Sequence, residues 1–71
     1  MGYAVKEFAA LSGVSVRTLH YYEEMGLLSP RRLPNGYRAY DAQDAARLQQ
    51  ILLYRDAGVA LADIKALLDD P

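Results

Sequence analysis

The 71-residue chain is long enough for one small domain, and its 52% apolar and 24% charged residues are typical of a soluble globular protein. With no cysteine, one histidine and no apolar run longer than four residues, the sequence excludes disulfide scaffolds, most metal sites and membrane spans. The net charge of −1 divides into +2 for residues 1–40 and −3 for residues 41–71, which indicates an anionic partner for the first half.

Two short helices are predicted at the start of the chain. The first runs from Val5 to Leu11, and Gly13 is suited to the turn that ends it. Ser15 has the side chain of a helix N-cap, and the second helix follows from Val16 to Met25, before Gly26. Two helices joined by a short glycine-containing turn form a helix-turn-helix, whose second helix enters the DNA major groove. The core face expected of the first helix consists of Val5, Phe8, Ala9 and Leu11.

A small hairpin is predicted after the second helix. Asn35-Gly36 is a strong hairpin signal, and it predicts a type I′ turn, in which both central residues have positive φ. The flanking strands are expected at Arg31–Pro34 and Tyr37–Tyr40. Because proline cannot donate to a strand ladder, the ribbon should be short and exposed.

Two further helices complete the predicted fold. Asp41 and Asp44 have the spacing of a capping box, and the third helix should run from there to Ala57. The fourth helix is predicted at 61–68. The side chains expected to face the core are Ala45, Leu48, Ile51 and Leu52 of the third helix, with the Arg55 stem, and Leu61, Ile64, Leu67 and Leu68 of the fourth. Leu53 and Tyr54 lie off that stripe.

The outer face of the second helix carries residue types that read DNA. Arg17 has the fork that fits guanine O6 and N7, Thr18 suits a thymine methyl group, and His20 and Tyr21 are donors to bases or phosphates. Ser15 places free helix amides where a phosphate fits. Other interpretations are an idle surface role for His20 and a core position for Tyr22, while Glu23 and Glu24 repel phosphate and at most orient Arg or His.

Basic and aromatic residues are interleaved along residues 17–40, as in a surface that contacts phosphate. Within the ribbon, Arg38 is the strongest candidate for a phosphate ligand. Tyr40 precedes the N-cap of the third helix, so we expect it to pack as a hydrophobic staple. The alternative for the ribbon arginines is protection of an edge strand against aggregation.

The segments 13–28 (GVSVRTLHYYEEMGLL), 35–40 (NGYRAY), 47–55 (RLQQILLYR) and 61–68 (LADIKALL) resemble, in order and spacing, the DNA-binding domain of MerR-family transcription regulators. The details are most similar to the TipA-like, drug-responsive branch. The resemblance implies a mostly α winged helix-turn-helix of four short helices and a two-stranded wing. It also implies DNA contacts by the recognition helix, the wing and a second wing. The residues assigned to DNA are Ser15, Arg17, Thr18, His20, Tyr21, Tyr37, Arg38 and Arg55.

The resemblance further implies a cytoplasmic homodimer that distorts palindromic promoter DNA and so realigns its elements for RNA polymerase. The family's dimerisation helix and effector domain are expected beyond residue 71. Ala4 and Ala60 stand where relatives often have a Ser or Thr cap, so the first and fourth helices are expected to fray.

No catalytic constellation, cofactor motif or metal site is expected from this sequence, so an enzyme is disfavoured. Two alternatives to a transcription regulator stay open. One is a small helical protein-interaction module that binds through the third helix, and the other is an excisionase-like architectural DNA-binding protein.

Overall fold

The computed structural model describes residues 2–70, so the first and last positions of the domain predicted for 1–71 lie outside it. The chain forms four helices and an antiparallel ribbon in which Arg31 pairs with Ala39 and Arg32 with Arg38. The fold class is therefore the predicted one, a mostly α winged helix-turn-helix. The elements in chain order are α1 (Val5–Ser12), α2 (Val16–Glu24), β1 (Arg31–Arg32), β2 (Arg38–Ala39), α3 (Ala42–Asp56) and α4 (Leu61–Asp69).

One apolar core joins all four helices to the end of the ribbon. Tyr40 is fully buried and stacks on Phe8 of α1, with ring centroids 4.5 Å apart and planes 9° from parallel. Its backbone also pairs with that of Tyr3, so the ribbon is anchored to the N-terminal segment. The buried residues are Phe8, Ala9, Leu19, Tyr22, Leu27, Leu28, Tyr40, Leu48, Ile51 and Ile64.

The helix ends follow local sequence signals. The Ser15 hydroxyl caps α2 by accepting from the Thr18 amide at 3.0 Å. Asp41 and Asp44 form the predicted capping box on α3, each carboxylate accepting from the other residue's amide. Ala4 has no hydroxyl to cap α1, and the Glu7 carboxylate accepts from its amide instead, at 3.3 Å.

The wing turn differs from the predicted type I′ turn. Gly36 has φ of 86°, but Asn35 has negative φ. The Gly36 amide donates to the Leu33 carbonyl, and the Leu33 amide donates to the Tyr37 carbonyl, each at 2.8 Å. The loop therefore has three residues, with a glycine bulge after the turn. The fixed φ of Pro34 suits the first central position of a type I turn. Because Pro34 takes that position, the turn is centred on Pro34-Asn35, one residue before the predicted Asn35-Gly36.

The predicted core-facing sides of the helices do face the core, but some residues at the edges of those sides are exposed to solvent. Leu11 of α1 is 70% exposed, Leu67 of α4 is 52% exposed, and Ala45 of α3 is exposed as well. The strands are also shorter than predicted, with two residues each. Helical periodicity identifies the centre of an apolar face, but the neighbouring element decides how far its edges are covered.

Candidate nucleic-acid interface

The outer face of α2 carries an exposed basic and aromatic surface. Arg17 is exposed in the first turn, Tyr21 is 50% exposed one turn later, and His20 and Glu24 line the same shallow depression. Arg17 forms no ion pair with any residue in 2–70, so its guanidinium is available to a partner. This face can present a planar donor fork and a phenol at the edge of a groove.

The other predicted α2 residues are more constrained than Arg17. The Ser15 hydroxyl donates to Thr18 Oγ1 at 2.9 Å, so this pair forms a small capping unit at the exposed N-terminus of the helix. His20 is half-buried, and its Nε2 is enclosed without a hydrogen-bond partner among the described residues. In this conformation that ring nitrogen does not reach an external ligand.

The wing is attached to α2 by ion pairs on Glu23. Arg38 Nε donates to both Glu23 carboxylate oxygens at 2.9 Å, and Arg38 Nη2 lies 2.8 Å from Oε2. Arg32 of the other strand reaches the same oxygen at 3.4 Å. Glu23 is therefore in contact with two arginines of the wing, and the orienting role considered for it stays a prediction. Arg38, predicted to bind phosphate, is half-buried, and its guanidinium is paired with the Glu23 carboxylate. Tyr37, the preceding residue of the wing, is 71% exposed.

This contact makes the stability of the domain dependent on pH. The hydrogen bond from Arg38 holds the pKa of Glu23 below its ordinary value of 4.5. A depressed carboxylate pKa stabilises the fold above the unfolded-state pKa, and the contribution is lost as the pH falls through the folded-state value. Glu23→Gln is therefore expected to lower the free energy of unfolding by about 1 kcal/mol at pH 7, and to reduce its decline below pH 4.5.

Urea denaturation between neutral pH and pH 3 measures both effects. Glu24→Gln is the matched control, because Glu24 is an exposed carboxylate on the same helix and forms no ion pair with a described residue. The Asp41–Asp44 capping pair titrates in all variants and cancels in the comparison. Equal pH profiles for the two glutamine variants would show that the Glu23 contact contributes nothing.

The opposite flank of α2 is linked to α3. The Tyr22 hydroxyl accepts a hydrogen bond from Arg55 Nη1 at 3.2 Å, and Arg55 also approaches the adjacent Asp56 carboxylate at 3.4 Å. Arg55 is exposed at the end of α3, as expected of a phosphate ligand in a second wing. Consecutive residues of α2, Tyr22 and Glu23, thus bind the arginines on its two sides.

Two basic residues near the wing were not among the predicted site residues. Lys6 of α1 lines one depression together with Tyr37 and Arg38, and Arg32 donates to the Gly36 carbonyl at 3.3 Å. Strand pairing with Arg38 could have indicated Arg32 from sequence. Nothing local could have placed Lys6, because it reaches the wing only through the packing of α1 on Tyr40.

Within residues 2–70, no cluster of three or more potential metal-ligating side chains occurs. None of the helices in that range has the length and apolar character needed to cross a membrane.

Comparison with known proteins finds one family. The family model described as "MerR HTH family regulatory protein" matches residues 3–70. The HTH-type transcriptional regulator SkgA of Caulobacter vibrioides is 59% identical over 70 residues, covering 97% of this chain and 28% of SkgA. The HTH-type transcriptional activator TipA of Streptomyces coelicolor is 51% identical over 72 residues, covering 100% of this chain and 28% of TipA. The chain thus spans 28% of the length of both curated relatives.

Solved structures agree with this result. A crystal structure of SkgA from Caulobacter crescentus matches with a TM-score of 0.91 and 57% identity, over 100% of this chain and 52% of that one. HiNmlR, a MerR family regulator lacking the sensor domain and bound to promoter DNA, matches with a TM-score of 0.89 and 31% identity, over 94% of this chain and 54% of that one. This chain belongs to the MerR family of helix-turn-helix regulatory proteins.

Proposed function

We propose that this chain is the DNA-binding domain of a bacterial MerR-type transcription regulator that acts in the cytoplasm. Its α2 lies in the major groove, where Arg17, Thr18, His20 and Tyr21 occupy the recognition-helix positions and Arg17 is the residue that reads a base edge. Ser15, Tyr37, Arg38 and Arg55 contact the phosphate backbone on either side. The observation that carries the proposal is the exposed Arg17–Tyr21 face on a helix bonded on both flanks to arginines.

This arrangement supports different roles for the phosphate contacts and the base contacts. Phosphate contacts fix the register of a protein on the duplex, and base contacts supply the sequence preference. Arg38 and Arg55 are held by α2 itself, so their distances from the reading face are set before DNA arrives. The promoter DNA bound by the relative HiNmlR is the class of ligand that suits such a face.

In the whole protein we propose a homodimer that binds a palindromic promoter and, by distorting it, changes its use by RNA polymerase. Two half-sites about one helical turn apart require two copies of α2, and binding both raises affinity through avidity. A single domain should accordingly bind DNA weakly.

The test is a ¹⁵N HSQC titration of the chain with a palindromic duplex from its own promoter, at low and at moderate salt. Salt-sensitive shifts are expected at residues 15–21 and 36–38, because phosphate contacts release counterions. Absence of shifts at low salt would contradict DNA binding. Shifts confined to residues 51–54, where Leu53 is 67% exposed, would instead support a protein-interaction module.

A further inference from the structure

The tip of the wing carries the only asparagine of the chain, directly before a glycine. Asn35 and Gly36 are both exposed, and a Cβ placed on Gly36 would meet nothing within 4 Å. Because glycine has no side chain, its backbone nitrogen is open to the side chain of the preceding residue. An asparagine in this position is subject to deamidation, in which that nitrogen attacks the side-chain carbonyl carbon.

The hydrogen bonds of the wing tip favour this attack at one atom and oppose it at another. The Tyr37 amide donates to Asn35 Oδ1 at 3.0 Å and closes a ring that contains the two atoms to be joined, the Gly36 nitrogen and Asn35 Cγ. The donor also points at the oxygen on which negative charge develops during the attack, as in an oxyanion hole. In opposition, the Gly36 N–H donates to the Leu33 carbonyl at 2.8 Å, which retains the proton that the nitrogen must lose.

The protection given by the Leu33 carbonyl depends on a very short ribbon. Strands β1 and β2 have two residues each, and a ribbon of that length opens locally without unfolding of the domain. Opening of the turn releases the Gly36 amide to solvent, while Asn35 stays adjacent to it in the chain. The reaction therefore has a path within the folded domain, at a rate that depends on opening of the wing tip.

We propose that Asn35 is a site of modification by water, and that its conversion to aspartate or isoaspartate weakens DNA binding through the wing. Solvent base takes the proton of the Gly36 nitrogen, the nitrogen bonds to Asn35 Cγ, and the Cγ–Nδ2 bond breaks. Nδ2 leaves with a proton as ammonia, and a cyclic imide remains. Water then opens the imide and returns a proton to the Gly36 nitrogen.

The position of the second attack decides the product. Attack of water at Cγ gives aspartate, and attack at the backbone carbonyl carbon of Asn35 gives isoaspartate, in which the main chain runs through Cγ. In sum, an amide and one water molecule become a carboxylate and an ammonium ion, with no oxidant or reductant. Both products add one negative charge to the wing tip.

The new carboxylate lies beside cations of the wing. Arg32 Nη1 donates to the Gly36 carbonyl at 3.3 Å, and the exposed Tyr37 follows directly in the chain. A negative charge at this place repels phosphates and competes with them for Arg32. This effect on binding rests on the proposed function, since it assigns a backbone contact to the wing, whereas the chemistry at Asn35 does not depend on it.

The chemistry is measured by mass spectrometry of the intact chain, incubated for days at neutral pH. A single asparagine makes the assignment direct, because Gln43, Gln49 and Gln50 need a larger ring that forms more slowly. The folded chain is expected to lose the amide roughly tenfold more slowly than the same chain in guanidinium chloride, as local opening predicts. Pro34→Ala removes the fixed φ of the turn and should bring the folded rate closer to the unfolded rate.

Asn35→Gln is the control for the chemistry, and its mass should not change under the same conditions. An unchanged mass of the folded parent, while the unfolded chain is converted, would overturn the proposed site. Equal rates for the folded parent and Asn35→Gln would have the same meaning. Equal rates for the parent and Pro34→Ala would overturn the role of turn opening.

The effect on DNA is measured with Asn35→Asp, which keeps an acceptor for the Tyr37 amide. Its binding to a mixed-sequence duplex should be roughly three- to tenfold weaker at low salt, and the difference should shrink as salt rises. Gln49→Glu is the matched control, because it adds the same charge on α3, beside Leu11 and Leu52 and outside the candidate interface. It should bind like the parent. Equal losses from both variants would overturn the effect of the wing, since net charge alone would account for them.

The two proposals fail in distinguishable ways. If the parent chain does not bind the duplex at low salt, the proposed function fails and the effect on binding fails with it, while the mass measurement still decides the chemistry. If the parent binds and Asn35→Asp binds equally well, DNA binding stands and the effect assigned to Asn35 is overturned.

Discussion

Arg17→Ala is expected to weaken binding to a preferred duplex, selected by the parent chain from a random pool, roughly 10- to 100-fold. The reason is that Arg17 is exposed in the first turn of α2 and has no ion-pair partner among residues 2–70, so its fork is free to bind guanine. The loss should be concentrated at one base pair of the half-site. Competition with single-base variants of the selected duplex measures it.

Arg38→Ala provides the contrast, because its expected contact is to phosphate. It should weaken all duplexes alike and lower the slope of log K against log salt by about one. Removal of Arg38 also leaves Glu23 without its principal partner near the DNA, which adds repulsion. Unchanged base preference in Arg17→Ala would show that another part of α2 faces the groove.

Tyr40→Ala is expected to lower the free energy of unfolding by roughly 3–5 kcal/mol, the range for deletion of a buried aromatic ring. Tyr40 is fully buried, stacks on Phe8 and pairs with Tyr3, so its loss empties the junction of wing, α1 and N-terminal segment. In a domain of this size the midpoint of thermal unfolding should fall by roughly 15 °C or more. Thermal unfolding followed by far-UV circular dichroism measures the change.

Tyr37→Ala is the control, because Tyr37 belongs to the same wing and is 71% exposed. Its effect on stability should stay within about 0.5 kcal/mol. The same fall in midpoint for both variants would contradict the assignment of Tyr40 to the core. A loss of DNA binding without loss of stability is the result expected for Tyr37→Ala if the wing contacts the backbone.

Some residues of the candidate site could be predicted from local sequence, whereas the contacts between residues far apart in the chain could not. The residue types of the α2 face, Arg17 and Tyr21, were identified from helical periodicity, and both are exposed as predicted. The engagement of Arg38 by Glu23 and of Arg55 by Tyr22 was not predicted as such. These partners are 15 and 33 residues apart, and a repeat of 3.6 residues carries no information at that separation.

Burial in the core was likewise not predictable from local sequence alone. Leu27 and Leu28 are almost completely buried although they follow α2 in a segment with no helical or strand pattern. Arg47 of α3 donates to the Leu27 carbonyl and to Asp69, so elements far apart in the chain enclose this segment. Burial outside regular structure depends on which elements pack over it.

By itself, the sequence determined the order of the four helices, their caps and the position of the wing. Those features depend on contacts across three or four residues, such as Ser15 with Thr18 and Asp41 with Asp44, and the residue types at that spacing favour them locally. The width of each buried face, the form of the wing turn and the ion pairs that join α2 to its flanking arginines were decided only by the tertiary structure. Each of them depends on packing between distant segments, where several local preferences compete and the arrangement that buries most apolar surface is adopted.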